Sequence, residues 1–212
     1  MKKILGLICA VLIGIMPVTA QKSAKNVLDA TANAFTKGGG IEATFKADQF
    51  NKNNQVKGSV SGVMHIKGNK FQMTTPDMIT WYNGKTQWSY IKNNEEVNIS
   101  TPTLEEQQSM NPYAFVYLYK KGYKYSMKET SLRGKSCYEV TLQAKNAQNS
   151  LRTVIIDIEK NNYAPLCIRL QQKDLTWTRI TVQRYSTNRS YKDSDFEFNH
   201  NDFPKAEIID LR

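Results

Sequence analysis

The chain has 212 residues and a formal net charge of +10, from 29 basic and 19 acidic side chains. The basic residues are scattered among Asn, Gln and Ser in no block of the kind that tracks a nucleic-acid backbone, so they read as solvated surface or as a weak attraction to anionic lipid head groups. No second apolar span follows the one at the N-terminus.

That first span sets the compartment. Lys2 and Lys3 precede an apolar run from Ile4 to Val18, and Val18-Thr19-Ala20 ends on the small residue that signal peptidase needs. Residues 1–20 are therefore predicted to be a secretory signal peptide, cut after Ala20 to leave Gln21 first. The run is short for an ordinary membrane span. A lipid anchor would need a Cys directly after the cut, and Cys9 lies early in the run behind Ile8. The expected mature protein is soluble and periplasmic, a single domain over residues 21–212. Losing Lys2 and Lys3 lowers its charge from +10 to about +8. Export argues against a nucleic-acid partner.

From Ser23 to Phe35, Val27, Leu28, Thr31, Ala34 and Phe35 recur at helical spacing, and Gly38-Gly39-Gly40 ends the run. The period then becomes two. Ile41, Ala43, Phe45 and Ala47 alternate with Glu42, Thr44, Lys46 and Asp48; Val56, Val60, Met64 and Ile66 alternate with polar residues. These are strands with one wet face, joined by the turn-rich residues 51–54. Next comes Trp81-Tyr82-Asn83-Gly84-Lys85-Thr86-Gln87-Trp88-Ser89-Tyr90. A two-residue Asn83-Gly84 turn would set Tyr82 opposite Lys85, Trp81 opposite Thr86 and Ile79 opposite Trp88. Ile79, Trp81, Trp88 and Tyr90 would then share one covered face.

The strand pattern breaks between Thr103 and Lys121. Thr103-Leu104-Glu105-Glu106 has the form of a capping box, and Asn111-Pro112 is a second helix start. Tyr113, Phe115, Val116, Tyr117, Leu118 and Tyr119 follow almost without a polar residue, and such a segment must be covered on every side. Strands resume over residues 123–127, 136–144, 152–159, 165–171 and 177–185. Phe196-Glu197-Phe198 reads as a short strand, and residues 203–210 as a closing segment. The expected architecture is mainly β: a long antiparallel meander curved into a half-closed barrel, with a leading helix and one helical insertion laid over it.

Cys137 and Cys167 fall on strands separated by another strand. That spacing disfavours a disulfide, because Cα atoms more than about 7 Å apart cannot be bridged, and two buried free thiols are expected. Catalytic chemistry is sparse. His65 and His200 stand in no metal-ligand spacing, and Gly38-Gly39-Gly40 follows no strand as a phosphate loop would. Glu95-Glu96, Glu105-Glu106 and Asp193 with Asp195 are explained by strand-edge charge, helix capping and a solvated turn. The chain is expected not to be an enzyme and to use no metal or cofactor. Apolar surface, in contrast, is abundant. The helices either plug the barrel as ordinary core, or act as a lid over a concavity suited to lipid tails.

The order of motifs resembles the periplasmic outer-membrane lipoprotein carriers of the LolA type. Ala43-Thr44-Phe45, Gly62-Val63-Met64, the Asn83-Gly84 hairpin with Trp88-Ser89-Tyr90, and Asn111-Pro112-Tyr113-Ala114-Phe115 take the family's places in sequence. Phe196-Glu197-Phe198 and Glu207-Ile208-Ile209-Asp210 look like its closing strand and tail. The resemblance implies an open β-barrel with a helical lid, and a monomeric carrier or chaperone. Such a carrier takes triacylated lipoprotein clients from an inner-membrane lipoprotein-releasing transporter to an outer-membrane receptor. Phe71 matches an aromatic lining position of the family and Trp88 its Trp-x-Tyr motif. On this reading Phe45, Met64, Phe71, Ile79, Trp81, Trp88 and Tyr90 form a ligand-binding floor, while Phe35, Tyr113, Phe115, Val116 and Leu118 form a lid. One departure stands out: where the family has an Arg that pins the lid, this chain has Gly68-Asn69, with Lys67 and Lys70 as the nearby cations. The same fold could instead bind another lipid or sense lipoprotein tails for an envelope stress regulator.

Overall fold

The structure, a computed structural model, describes residues 23–37, 39–103, 106, 118–120 and 122–212. Helix α1 (Ala24–Lys37) comes first. Six strands follow: β1 (Gly40–Phe50), β2 (Val56–Lys67), β3 (Lys70–Thr74), β4 (Met78–Tyr82), β5 (Gln87–Ile91) and β6 (Glu96–Ser100). After the insertion come β7 (Tyr123–Leu132), β8 (Lys135–Ala144), β9 (Leu151–Glu159), β10 (Pro165–Gln172), β11 (Trp177–Arg189) and β12 (Glu207–Asp210). Among the described residues no helix is long and apolar enough to cross a membrane.

Among the described residues all twelve strands form one sheet in the order β12-β6-β5-β4-β3-β2-β1-β11-β10-β9-β8-β7. The meander therefore runs in two pieces, β1 to β6 and β7 to β11, welded where β1 pairs antiparallel with β11. The edge strands β12 and β7 do not pair with each other, so the barrel stays open. Strand β12 lies parallel to β6, with Ile208 opposite Val97; the tail returns along the sheet edge instead of turning back in a hairpin.

Helix α1 forms because its apolar residues keep a single stripe and its first turn is capped. Ser23 Oγ accepts from the Asn26 amide at 3.2 Å as an N-cap, and Lys25 pairs with Asp29 one turn on. The stripe crosses the inner face of the sheet and joins two cores. Val27 and Leu28, both fully buried, pack with Leu118 just before β7 and with Tyr123, Val140, Leu142, Val154 and Ile156 from the second meander. Each such burial is worth about 1.5–3 kcal/mol. Two turns later, Ala32 and Phe35 pack with Ile41, Met64, Ile66, Phe71 and Tyr82 from the first. Strand β9 shows why the inner face is continuous here: Val154, Ile156 and Ile158 point in at 0–1% exposure.

The outer face carries polar pairs between neighbouring strands. Arg169 bridges Glu139 and Asp157 at 2.8 and 3.2 Å. Asp48 receives Ser59 Oγ at 2.6 Å and Arg179 at 2.9 Å from the strands on its two sides. Cys137 on β8 and Cys167 on β10 are free and buried, with β9 between them. The Thr103 and Glu106 groups make the reciprocal contacts of a capping box, Glu106 taking the Thr103 amide at 2.7 Å and Thr103 Oγ the Glu106 amide at 3.3 Å.

Two local expectations change. The β4–β5 connection is a four-residue loop, residues 83–86, because Asn83 Oδ1 accepts from the amides of both Lys85 and Thr86, at 3.1 and 2.9 Å. Tyr82 therefore faces Gln87, Trp81 faces Trp88 and Ile79 faces Tyr90. The shift is two residues, an even number, so the predicted face-sharing survives. Phe196-Glu197-Phe198 is not a strand; Asp193–Phe196 forms a 3-10 turn, in which Asp195 caps the Lys192 amide at 2.8 Å.

Candidate ligand-binding hollow

Between the two cores, beyond the contact that Phe35 of α1 makes with it, the inner face of β2, β1, β11 and β10 borders open space. A half-open hollow of about 670 Å³ lies there, within the size range of small-molecule and cofactor sites. Ile91 of β5 and Leu170 of β10 both line it although five strands separate them in the sheet, so the sheet curls around this space. The walls follow from alternation: Ala43, Phe45 and Ala47 on β1, Val60, Met64 and Ile66 on β2, Ile168 and Leu170 on β10, and Ile180 and Val182 on β11.

The hollow has a closed end and an open end. At the closed end Phe35 of α1 meets Tyr185 edge-on, ring centres 6.2 Å apart, above Ile66. Burial pushes the Tyr185 hydroxyl up to about 12, so it stays neutral and puts no charge into the apolar space. The polar lining residues Gln49, Thr75, Asp77, Gln172 and Thr178 gather at the other end. They sit together because the β1–β2, β3–β4 and β10–β11 turns share that end of the sheet, with Gln49 opposite Thr178 in register. An apolar interior with a polar mouth suits a ligand that has a long apolar part and a polar head.

Of the residues singled out from sequence, Phe45, Met64 and Phe35 line the hollow. Phe71 does not; it is buried behind the closed end against Tyr82, ring centres 5.5 Å apart. The aromatic hairpin faces away. Met78 and Ile91 of β4 and β5 point into the hollow, so Ile79, Trp81, Trp88 and Tyr90, on the alternate positions, point out of it. Trp81 and Tyr90 are covered by the C-terminal segment. Phe203 packs on Trp81 and Tyr90 at 5.6 and 4.6 Å, and Phe198 on Trp81 at 5.7 Å. The rings do converge on a covered side, but the cover is the chain's own tail. Leu118 is buried in the core beneath α1 with Val27 and Leu28. Tyr113, Phe115 and Val116 lie outside the described residues.

Sequence reading missed the contribution of β10 and β11, Ile168, Leu170, Ile180 and Val182. Their alternation with Arg169, Arg179 and Thr181 marks one apolar face, but nothing local says that β11 closes against β1. The positions around the missing Arg also resolve. Lys67 donates to Tyr191 O and Asp193 at 2.9 and 3.1 Å, and Lys70 reaches Asp193 at 3.0 Å, so these cations pin the tail and not a lid.

The groups considered for catalysis are engaged elsewhere. His65 Nδ1 lies 3.0 Å from Gln72 and its ring stacks on Tyr191, on the outer face. Asp193 is held below the usual carboxylate range by hydrogen bonds from Lys70 and Lys67. Glu95 occupies a turn with φ of 54°. Among the described residues no group of three or more His, Cys, Asp or Glu side chains is placed to hold a metal ion.

Comparison with solved structures shows the same fold in an uncharacterized conserved protein from Thermus thermophilus. The TM-score is 0.62 at 10% identity, over 89% of this chain and 99% of that one. A LolA superfamily protein from Nitrosomonas europaea aligns at TM-score 0.48 and 9% identity, over 84% and 98% of the two chains. A putative outer membrane lipoprotein-sorting protein domain from Vibrio parahaemolyticus aligns at 0.45 and 11% identity, over 84% and 98%. A search of curated proteins finds no match. The model of the family described as outer membrane lipoprotein carrier protein LolA matches residues 17–174, more than half of the sequence. With its mainly β open sheet and its leading helix, the chain belongs to that family of carrier proteins.

Proposed function

We propose that this protein is a periplasmic carrier that shelters lipoprotein acyl chains in the hollow between α1 and strands β2, β1, β11 and β10, and delivers them toward the outer membrane. The observation that carries this reading is the half-open hollow of about 670 Å³, apolar along its walls, with its amide, carboxylate and threonine side chains gathered at its mouth. Exposing an acyl chain to water costs about 0.8 kcal/mol per methylene, so a multi-chain client needs such a shelter to cross an aqueous space. Phe35, Phe45, Met64, Ile168 and Ile180 form the binding walls, and the apolar insertion with Tyr113, Phe115 and Val116 serves as lid. An inner-membrane transporter loads the carrier and an outer-membrane receptor unloads it. Because the hollow is half-open, part of the ligand stays at the mouth, which keeps affinity modest and transfer reversible without a chemical energy source.

The test is capture of a fluorescent fatty-acyl probe, followed by titration with a triacylated lipoprotein. Ile180→Glu and Val60→Glu place a charge on the walls and are expected to weaken capture by about tenfold or more. Trp88→Glu, on the tail side, is expected to leave capture intact where circular dichroism shows the variant folded. A wild-type protein that captures neither probe nor lipoprotein would overturn the proposal.

A further inference from the structure

Three hairpin loops meet at the open end of the hollow, and they combine exposed basic and exposed apolar side chains. The β1–β2 loop and the β10–β11 loop adjoin because Phe50 stands opposite Trp177 on one side and Val56 on the other. The β8–β9 loop joins them through the Lys173 amide, which donates to Ser150 O at 2.8 Å, and through Lys173 Nζ, which reaches Gln148 at 2.7 Å. Lys52, Lys57, Lys145, Arg152 and Lys173 on these segments are all exposed, and the one acid among them, Asp174, is spent on capping Thr176. On the β3–β4 and β5–β6 turns of the same end Asp77 and Glu95 outnumber Lys92, so the positive charge lies on the side of the three loops.

Apolar side chains project from the same lip. Val56 is 57% exposed and Leu175 45%. Leu175 also has a φ of 69°, the left-handed conformation that a hairpin loop of this kind normally gives to Gly or Asn. An L-residue there is strained by about 1–2 kcal/mol, and the strain here holds a large apolar side chain out into water. Fold stability explains neither choice. Trp177 and Phe50 lie just behind, half-buried, where interfacial aromatics sit in proteins that rest on a bilayer.

We infer that these three loops form a docking surface for an anionic lipid bilayer, which turns the mouth of the hollow toward the membrane. Lysines ringing the lip meet anionic head groups, while Val56 and Leu175 dip into the boundary between head groups and acyl chains. Docking does not depend on what fills the hollow, so it stands or falls separately from the carrier reading.

The experiment is sedimentation of protein, recovered from cells expressing the full sequence, with vesicles of phosphatidylcholine alone or mixed with phosphatidylglycerol. Binding is expected only to the anionic vesicles and is expected to fall as salt rises from low to high. Removing one charge, as in Lys52→Ala or Lys173→Ala, is expected to weaken it about fivefold, and Lys52→Ala with Lys57→Ala about 25-fold. Leu175→Gly relieves the backbone strain, so it is expected to raise the melting temperature while weakening vesicle binding by about fourfold for each methylene that had been immersed. Acyl-probe capture, measured without vesicles in the same variants, is expected to be unchanged. Equal binding to neutral vesicles, binding insensitive to these substitutions, or loss of probe capture in the lip variants would each overturn the inference.

Discussion

Phe45 lies across Gly62, its register partner on β2, so closely that a Cβ on residue 62 would meet Phe45 Cζ at 2.8 Å and Thr74 O at 2.5 Å. The glycine lets an aromatic ring lie flat in the floor of the hollow where an alternating strand would otherwise raise a side chain into it. Gly62→Ala is therefore expected to cost about 1–3 kcal/mol, because one of the two contacts is backbone and cannot swing aside. Urea denaturation of the purified variant measures this. A midpoint unchanged from wild type would mean that the floor tolerates the methyl group and that the close approach has no energetic consequence.

The tail is a structural cover, and its removal has a different signature from damage to the hollow. Phe203 closes over Trp81 and Tyr90, and Trp81 is only 5% exposed as a result. Phe203→Ala is expected to cost about 2 kcal/mol, below the usual core value because Phe203 is half-buried, and to red-shift tryptophan emission as Trp81 is wetted. Acyl-probe capture is expected to persist. Loss of capture with no change in stability or emission would place the aromatic hairpin back among ligand-contacting residues.

These two cases mark what a sequence can and cannot reveal here. The period of two assigns Phe45 and Met64 to one face of β1 and β2, and that face does line the hollow. Alternation also groups Ile79, Trp81, Trp88 and Tyr90 correctly, and the grouping survives the longer Asn83 loop. What it cannot say is which side of the sheet the group faces, since both faces of β4 and β5 carry apolar residues: Met78 and Ile91 on one, the rings on the other. The tie is broken by Phe198 and Phe203, more than a hundred residues away in the chain, and by the β1–β11 pairing that curls the sheet. Phe196-Glu197-Phe198 alternates like a strand, but the Lys192 to Asp195 cap winds it into a turn that drives Phe196 into full burial.

Asp48 gives a prediction in pH. Hydrogen bonds from Ser59, Lys46 and Arg179 hold its carboxyl far below the usual carboxylate range, and those partners come from β2, β1 and β11 at the mouth end of the weld. A carboxyl with a depressed folded-state pKa adds stability that is fully present above its unfolded value, about 3.9, and is lost as pH falls through the folded value. The urea midpoint of wild type is thus expected to exceed that of Asp48→Asn at pH 7, and the gap is expected to narrow only below about pH 4. A gap that is constant from pH 7 to pH 2 would show that Asp48 acts through shape and not through charge.

The two thiols are expected to be inert in the folded protein. Cys137 is fully buried and Cys167 is 7% exposed, and burial pushes both thiols above their ordinary range, which lowers the thiolate fraction that reacts. Strand β9 separates them: Cys137 pairs with Glu159 on one side of it and Cys167 with Asp157 on the other. Two strand spacings, about 9–10 Å, exceed the reach of a disulfide. Even in an oxidising compartment the pair is expected to stay reduced, reacting slowly with a thiol reagent at neutral pH and fully once urea unfolds the chain. A Cys137–Cys167 bridge found by peptide mapping of unreduced protein would require β8 and β10 to sit closer than one intervening strand permits, and would contradict the strand order on which the hollow itself depends.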